Sequence, residues 1–394
     1  MPATKSDAET IRRLNRSLVL ERIRTLGEIS RYQLAKETRL SPTTVSAITG
    51  DLLRQGIIHE KRIGSSSGGR RPVLYAVDPE GRFVVSGRIG VAGSTFALVN
   101  PYGLIRNRIE GGEPVRGRKA ISRAVREGIG RILEESRVPR RKVIGCALSF
   151  PGIIDQESGR LLLSVPLGLS DFDARSLVQP LLSVRPALYK DTDALLLGEF
   201  LQGSAKDLRD VMYIWVGSGV GMSYVHEGRL VVLPRGGFEL GHISINHEGP
   251  TCRCGSTGCL GNSISAGPVL ARYGLGASAV QGLDYAGLCS RAGKGDARAL
   301  AALEEAADSL AIAVASVVNL FNPQLVLIGG PLHESPPSVQ ERTRERALPR
   351  ILAPFRRTVR IGFSGLSPDV SLSAMAAEVF QRRLFAPDDS HEGA

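Results

Sequence analysis

The 394-residue chain has few cysteines, a shortage of acidic residues, and no long apolar runs. No stretch approaches the length that spans a bilayer as a helix, which excludes an integral helical membrane protein. The amino terminus, MPATKSDAETIRR, lacks the apolar segment of a secretory signal. With five cysteines in all, no disulfide framework is implied. The expectation is a soluble, cytoplasmic protein in a reducing compartment. Lys and Arg number 50 against 39 Asp and Glu, a net charge of +11 that favours polyanionic partners. Residues 1–78 hold fourteen of these cations and eight acids, so a fifth of the chain carries over half of the excess.

Three of the five cysteines stand close together. His242, Cys252, Cys254 and Cys259 fall within eighteen positions, separated by glycine-rich, turn-forming residues. One imidazole and three thiols suit tetrahedral Zn²⁺ and leave no coordination position for water, so the set reads as a structural site. Cys146 and Cys289 sit in apolar or helical surroundings and read as small buried hydrophobes.

The basic amino-terminal segment patterns as a winged helix-turn-helix. Apolar residues at 11, 14, 18, 19, 23 and 26 follow a helical stripe. Ser30 is placed to cap a short helix over Arg31–Thr38, and Ser41-Pro42 supplies a hydroxyl cap followed by proline at the first helical position. Val45, Ile48 and Leu52 then form the inner stripe of the third helix. Ser41, Thr43, Thr44 and Ser46 are left near its exposed head, where small polar side chains enter a major groove and bond base edges or phosphates. A strand from Ile57, a glycine- and serine-rich tip with Arg70 and Arg71, and a second strand over Val73–Val77 form the wing. Its arginines suit a narrow, electronegative minor groove. The pattern implies double-stranded DNA as partner.

Beyond Asp78-Pro79 strands alternate with helices, the signature of an α/β chain in two lobes. Strands are expected over Phe83–Ile89, Thr95–Val99, Val143–Ser149, Val211–Val216 and Leu325–Ile328, with one ending at Tyr189-Lys190-Asp191. Helices are expected over Ala120–Ser136, Leu195–Phe200 and Asp296–Asn319. Ligands in such sheets bind at strand ends, where Asp191 and the turn Gly217-x-Gly-x-Gly221 fall. The turn can cradle a phosphate or simply be tight. Asp191 can be a general base, an acceptor for a sugar hydroxyl, or a helix cap.

Together these features resemble the ROK family of sugar-responsive repressors and sugar kinases. The resemblance runs through GGRRPVLYAVDP (68–79), SFPGIID (149–155), KDTDALLLGE (190–199), VGSGVGMS (216–223), FELGHISI (238–245), CRCGSTGCL (252–260) and NLFNPQLVLIGG (319–330). It implies an actin-like, ribonuclease-H-type pair of lobes with a sugar site in the cleft. It also implies a homodimer that presents two winged helices to a pseudo-palindromic operator, with a tetramer as a further possibility. The implied domains are a winged helix over 1–78, a small lobe over 79–192 and a large lobe over 193–383. The C-terminal helix returns to the small lobe, and a flexible tail covers 384–394. By the same resemblance, Asp191 matches the catalytic or sugar-binding aspartate and Glu239 a ligand for sugar hydroxyls. His242 matches a residue touching both sugar and zinc.

The departures from the family pattern bear on function. Arg88 stands where the family's kinases carry the acid of an Asp-x-Gly-Gly-Thr turn, and a cation there cannot hold the metal that shields phosphoryl transfer. Lys190 replaces an Asn, Gly261 replaces a Glu, and Pro166-Leu-Gly-Leu169 replaces an Asn-Trp loop. Kinase activity is therefore expected to be lost. The added cation suggests an anionic effector such as a sugar phosphate, unless Lys190 merely pairs with Asp191 or Asp193. The expected function is a DNA-binding regulator, a repressor of carbohydrate-utilisation genes under control of a sugar or sugar derivative. The competing readings are an ATP-dependent sugar kinase with a DNA-binding appendage, and a regulator whose sensor lobe is recruited by a phosphotransferase protein.

Overall fold

The computed structural model describes residues 5–62, 72–274 and 283–385. The chain opens with α1 (Lys5–Leu26), the short strand β1 (Ile29–Ser30) and α2 (Arg31–Thr38). The start of α2 follows from two side chains. Ser30 Oγ accepts from the Gln33 amide at 3.2 Å and Gln33 Oε1 accepts from the Ser30 amide at 3.1 Å, which satisfies two free helix-end donors at once. Arg39, in a left-handed conformation (φ 57°), ends α2. α3 (Pro42–Arg54) begins at Ser41, whose Oγ accepts from Thr44 N at 3.1 Å. Val45, Ile48 and Leu52 are buried, whereas Ser41, Thr43 and Ser46 are exposed and Thr44 is half-buried. β2 (Ile58–Arg62) and β3 (Val73–Val77) complete a three-stranded sheet in the order β1-β3-β2. Arg70 and Arg71 of the wing lie outside the described residues. The apolar stripe of α1 is only half used: Val19, Leu20 and Ile23 are buried, while Ile11 and Leu14 are more than half exposed.

Two five-stranded sheets form the rest. The first draws on β4 (Phe83–Gly90), β5 (Gly93–Val99), β6 (Ile105–Gly111), β7 (Val143–Phe150) and β11 (Ala187–Lys190), in the order β11-β7-β4-β5-β6. Between β7 and β11, strands β8 (Ile153–Asp155), β9 (Arg160–Ser164) and β10 (Leu169–Phe172) make a small antiparallel sheet. Helices α4 (Arg118–Ser136) and α5 (Arg175–Leu182) cover one face of the large sheet, burying Phe83, Val85, Phe96 and Leu98 against Ile121, Val125 and Ile129. α6 (Asp191–Gln202) leaves β11 and crosses to the second sheet, where Leu195 and Leu196 pack with Tyr213 and Leu327.

The second sheet has the order β14-β13-β12-β15-β16, built from β12 (Val211–Val216), β13 (Val220–His226), β14 (Arg229–Leu230), β15 (Leu325–Gly329) and β16 (Arg360–Phe363). Its main cover is α10 (Ala297–Phe321), capped by Asp296, which accepts from the amides of Arg298 and Ala299. A run of buried alanines, including Ala299, Ala302, Ala306 and Ala311, lets this long helix lie close to its neighbours. Shorter helices fill the edges: α7 (Gly261–Ile264), α8 (Ala266–Arg272), α9 (Tyr285–Gly293), α11 (Pro337–Ala347) and α12 (Ala353–Arg356). No helix among the described residues is long and apolar enough to cross a membrane.

The last helix, α13 (Val370–Phe380), lies on the face of the first sheet opposite α4, with Met375 and Val379 in one cluster with Val84, Ala97 and Ala147. The approach is close: a Cβ on Gly145 would sit 2.4 Å from Val379 Cγ1, so only glycine fits there. A flexible tail is expected from residue 384, but its first two residues are packed. Leu384 and Phe385 are buried in the same cluster as Val19, Leu20 and Ile23 of α1, and the Arg24 guanidinium stacks 5.0 Å from the Phe385 ring centre. Their apolar side chains find a ready-made crevice between α1 and the sheet. Residues 386–394 lie outside the described ones.

Candidate functional site

The four soft ligands converge. The donor atoms of His242, Cys252, Cys254 and Cys259 all lie within 4.8 Å of one another. Cys254 Sγ is 3.6 Å from Cys259 Sγ, and Cys252 Sγ is 3.8 Å from His242 Nδ1. Around Zn²⁺, bond lengths near 2.3 Å to sulfur and 2.0 Å to nitrogen set tetrahedral edges of roughly 3.5–3.8 Å. The observed spacings match. Backbone bridges Ser244 to Cys259 and Thr251 to Thr257 tie the loop. Gly258 is required at its turn: its φ is +67°, and a Cβ there would fall on the Asn246 carbonyl. Amide donation from Ser256 draws the exposed Cys254 thiol down to about 7, whereas burial pushes Cys259 up to about 11. A bound cation deprotonates both outright. The cluster can hold a metal.

His242 is also tied to Glu239. It closes a single helical turn whose first carbonyl is that of Glu239, with His242 N donating to Glu239 O at 2.9 Å. A ring giving Nδ1 to the cluster keeps Nε2 for a second partner. Phe238, immediately before Glu239, holds φ +59°, a left-handed conformation that a bulky side chain rarely adopts. Ring contacts to Tyr224 and Phe321 hold it there and turn the carbonyls of Gly237 and Phe238 inward.

Lys190 receives those carbonyls. Its Nζ donates to Gly237 O at 3.2 Å and Phe238 O at 3.5 Å, and pairs with Glu239 Oε1 at 2.9 Å. The sequence-based alternative had Lys190 pairing with Asp191 or Asp193. The partner is instead Glu239, because the strained turn brings that carboxylate across the cleft to the end of β11. Asp191 is not a helix cap either. Lys190 holds the cap position without a side-chain bond, and Asp191 is the first residue of α6, its Oδ1 accepting from Thr192 N at 2.8 Å. Asp191 is half-buried. Its carboxyl nevertheless lies among dense packing that strips hydration and raises it to about 6, against the lowering pull of the Thr192 amide and Lys190.

Asp193 is the residue that the sequence reading passed over as a site member. It is buried, its Oδ1 lies 2.6 Å from Ser223 Oγ, and burial raises it to about 6 as well. An acid two positions after Asp191 at a helix start was the available signal. An acid whose folded value exceeds its ordinary 3.8 binds its proton more tightly in the native state, so this contribution to stability is complete below that value and is lost as pH rises through about 6. Asp193→Asn keeps the acceptor for Ser223 and removes the buried charge. The variant is expected to be more stable than wild type above pH 6 by on the order of 1–3 kcal/mol, with the gap closing below pH 4. Urea titrations across this range measure it; a variant less stable at pH 7 would show that the charge itself is needed.

The glycine turn after β12 joins it to its hairpin partner β13, with Gly217 N donating to Gly219 O. Gly261 opens α7, where a Cβ would press on the Gly241 carbonyl at 3.1 Å. Pro166-Leu-Gly-Leu169 joins β9 to β10. Arg88 lies on β4, its Nη2 3.3 Å from both Thr95 Oγ1 and Asp369 Oδ1. A cation therefore stands bonded near the end of this strand, where an acid is expected in a kinase. A cavity of about 590 Å³, lined by Arg116, Gly117, Arg118, Lys119, Ala120 and Arg123, lies at the start of α4 beside the Pro166-Leu-Gly-Leu169 loop, where Gly117 N donates to Leu167 O at 2.8 Å.

Known proteins resemble this chain. The ROK family model matches residues 85–377. The chain belongs to the ROK family. Among its relatives, the xylose repressor of Caldicellulosiruptor bescii is 30% identical over 336 residues, covering 81% of this chain and 83% of its own. The DNA-binding transcriptional dual regulator NagC of Escherichia coli is 26% identical over 338 residues, covering 84% and 83%. A solved ROK family transcriptional regulator, a homologue of the E. coli MLC protein, superposes with a TM-score of 0.80 at 25% identity over 95% of this chain and 98% of its own. A ROK glucokinase from Streptomyces griseus, solved with glucose and AMPPNP, shares the fold of the sensor lobes (TM-score 0.65, 20% identity, 75% of this chain and 98% of that one). The regulator thus covers 95% of this chain and the glucokinase 75%.

Proposed function

We propose that this chain is a sugar-responsive, DNA-binding repressor of carbohydrate-utilisation genes, and not an enzyme. One observation carries the reading: an α3 head of exposed small polar residues shares a chain with a sugar-kinase cleft whose metal-holding acid has become Arg88, bonded to Asp369. Ser41, Thr43, Thr44 and Ser46, with Arg70 and Arg71, contact the operator. The fold-defining cation is structural Zn²⁺, held by His242, Cys252, Cys254 and Cys259. It stabilises the turn that carries Glu239 and contributes no reaction step.

The effector is a monosaccharide or its phosphate, seated by Asp191, Glu239, His242 and Lys190. Carboxylates and an imidazole suit vicinal hydroxyls. The Lys190–Glu239 pair leaves that wall neutral, so it admits either class. Relatives are named xylose repressor and N-acetylglucosamine repressor, so xylose and N-acetylglucosamine are tested first. A homodimer places two α3 helices on an operator of two-fold symmetry. Effector lowers operator affinity to the extent that it binds two lobe arrangements unequally.

Genome-wide footprinting, followed by anisotropy on the recovered duplex, tests this. Discrete sites beside sugar-utilisation genes, released by one sugar of the panel, are expected. Diffuse, salt-labile binding alone, or ADP release in the presence of any sugar, would refute it.

A further inference from the structure

Asp369 is the residue just before α13, yet its carboxylate makes no cap bond to that helix. It is held instead between two guanidiniums, with Arg108 Nε 2.7 Å from Oδ2 and Arg88 Nη2 3.3 Å from Oδ1. Two forked cations converging on one small anion is how proteins commonly hold phosphate. Each of the three side chains is about one-third exposed, so the site is open to a solute.

Arg108 also pairs with Glu110 and Arg88 with Thr95, yet donors remain on the Arg88 side that nothing among the described residues uses. Arg88 on β4 and Ser149 on β7 are register partners in parallel strands, so their side chains share a face. Ser149 is 1% exposed and its hydroxyl has no hydrogen-bond partner among the described residues; neither has the buried Nε of Arg88. Unpaired buried donors are costly and rare enough to need a reason. Ser149 in turn pairs with Tyr189 of β11, whose next residues are Lys190 and Asp191. With strands about 4.8 Å apart, the Arg88 backbone lies roughly 10 Å from the proposed sugar site, along one row of strand carboxyl ends.

We propose that Arg88, Arg108 and the Ser149 hydroxyl form an anion subsite for a phosphoryl group on the effector, a subsite that Asp369 fills in the effector-free chain. A phosphomonoester carries nearly two charges and three terminal oxygens at pH 7, enough to engage both guanidiniums and reach Ser149, whereas a carboxylate has one charge and two oxygens. The tethered Asp369 competes at an effective concentration in the millimolar range, so free phosphate binds weakly. A sugar phosphate anchored at Asp191 gains the same tethering advantage and displaces it. Displacement frees the amino end of α13, whose continuation through Leu384 and Phe385 packs against α1 of the DNA-binding domain. The anion subsite itself stands on the arginines; its link to an effector rests on the sugar reading above.

Calorimetry on the full chain separates the two. Inorganic phosphate is expected to bind Asp369→Asn at least tenfold more tightly than wild type, and Arg88→Gln in that background is expected to abolish the gain. Thermal melts confirm that each variant is folded. On wild type, phosphate is expected to slow phenylglyoxal modification of Arg88, and chloride at equal ionic strength is not. Phosphate affinity that is the same in all three chains, or labelling of Arg88 that phosphate does not slow, would reduce the arrangement to a structural ion pair and overturn the proposal. N-acetylglucosamine 6-phosphate is then compared with N-acetylglucosamine. Failure of both sugars with the phosphate results intact would count against the sugar reading alone.

Discussion

Chelation of the metal, or replacement of Cys259 by serine, is expected to weaken effector binding by ten- to a hundredfold and to lower the melting temperature of the chain. The argument runs through one short stretch of backbone. The bridge from Ser244 to Cys259, together with His242, ties the cluster to the turn that presents Glu239. Phe238 holds an unfavourable conformation there, which persists only while its surroundings over-determine it. Without the cation, three thiols and an imidazole packed within 4.8 Å lose the charge that holds them together, and the turn is left with its Lys190 and aromatic contacts on the other side. Apparent binding energies of structural zinc sites, about 10–16 kcal/mol, far exceed what a loop of this size gains from its own packing. Metal content by atomic emission, a thermal melt and sugar calorimetry on the same preparation make the test. A metal-free chain with unchanged melting and unchanged sugar affinity would remove zinc from the account.

Thr43→Glu is expected to cut operator affinity at least a hundredfold without harming the fold. Thr43 is exposed in the first turn of α3, beside the capping Ser41. A carboxylate there complements the helix dipole and adds about 0.3–1 kcal/mol of local stability. Facing the groove, the same charge meets phosphates and base acceptors and loses more than a single good base contact provides. Opposite signs for stability and binding make the result diagnostic. Anisotropy at two salt concentrations, with a melt alongside, reads both. Affinity that survives the substitution would move the DNA-reading surface away from α3.

The sequence disclosed the DNA-binding domain because its signals are local. Ser30 with Gln33, and Ser41 with Pro42, act within one helical turn and need no tertiary contact. The His242, Cys252, Cys254 and Cys259 cluster was legible for the same reason, being chemically distinctive and close in sequence. What stayed hidden depends on residues far apart. Lys190 meets Glu239 across forty-nine positions, and Arg88 meets Asp369 across 281, through a fold that pattern reading names but does not dimension. Asp193 was overlooked because an acid in the first turn of a helix is ordinary, and only burial makes it unusual. Strands β8 to β10 are short and break the helix–strand alternation, so periodicity passed them by. The tail boundary was misjudged because Leu384-Phe385 is a mere two-residue apolar patch before a polar end.

Reader and sensor are fused in one hydrophobic cluster that runs from Val19 and Leu34 through Val84 and Ala147 to Phe380 and Phe385. Arg82 donating to the Gln55 carbonyl at 2.8 Å and Tyr102 donating to the Val77 carbonyl at 2.9 Å stitch the seam. The head is consequently no portable cassette. A chimera that grafts it onto another sensor inherits an open hydrophobic wound unless the far carboxyl end travels with it, and affinity tags joined directly after Phe385 would press on the same seam.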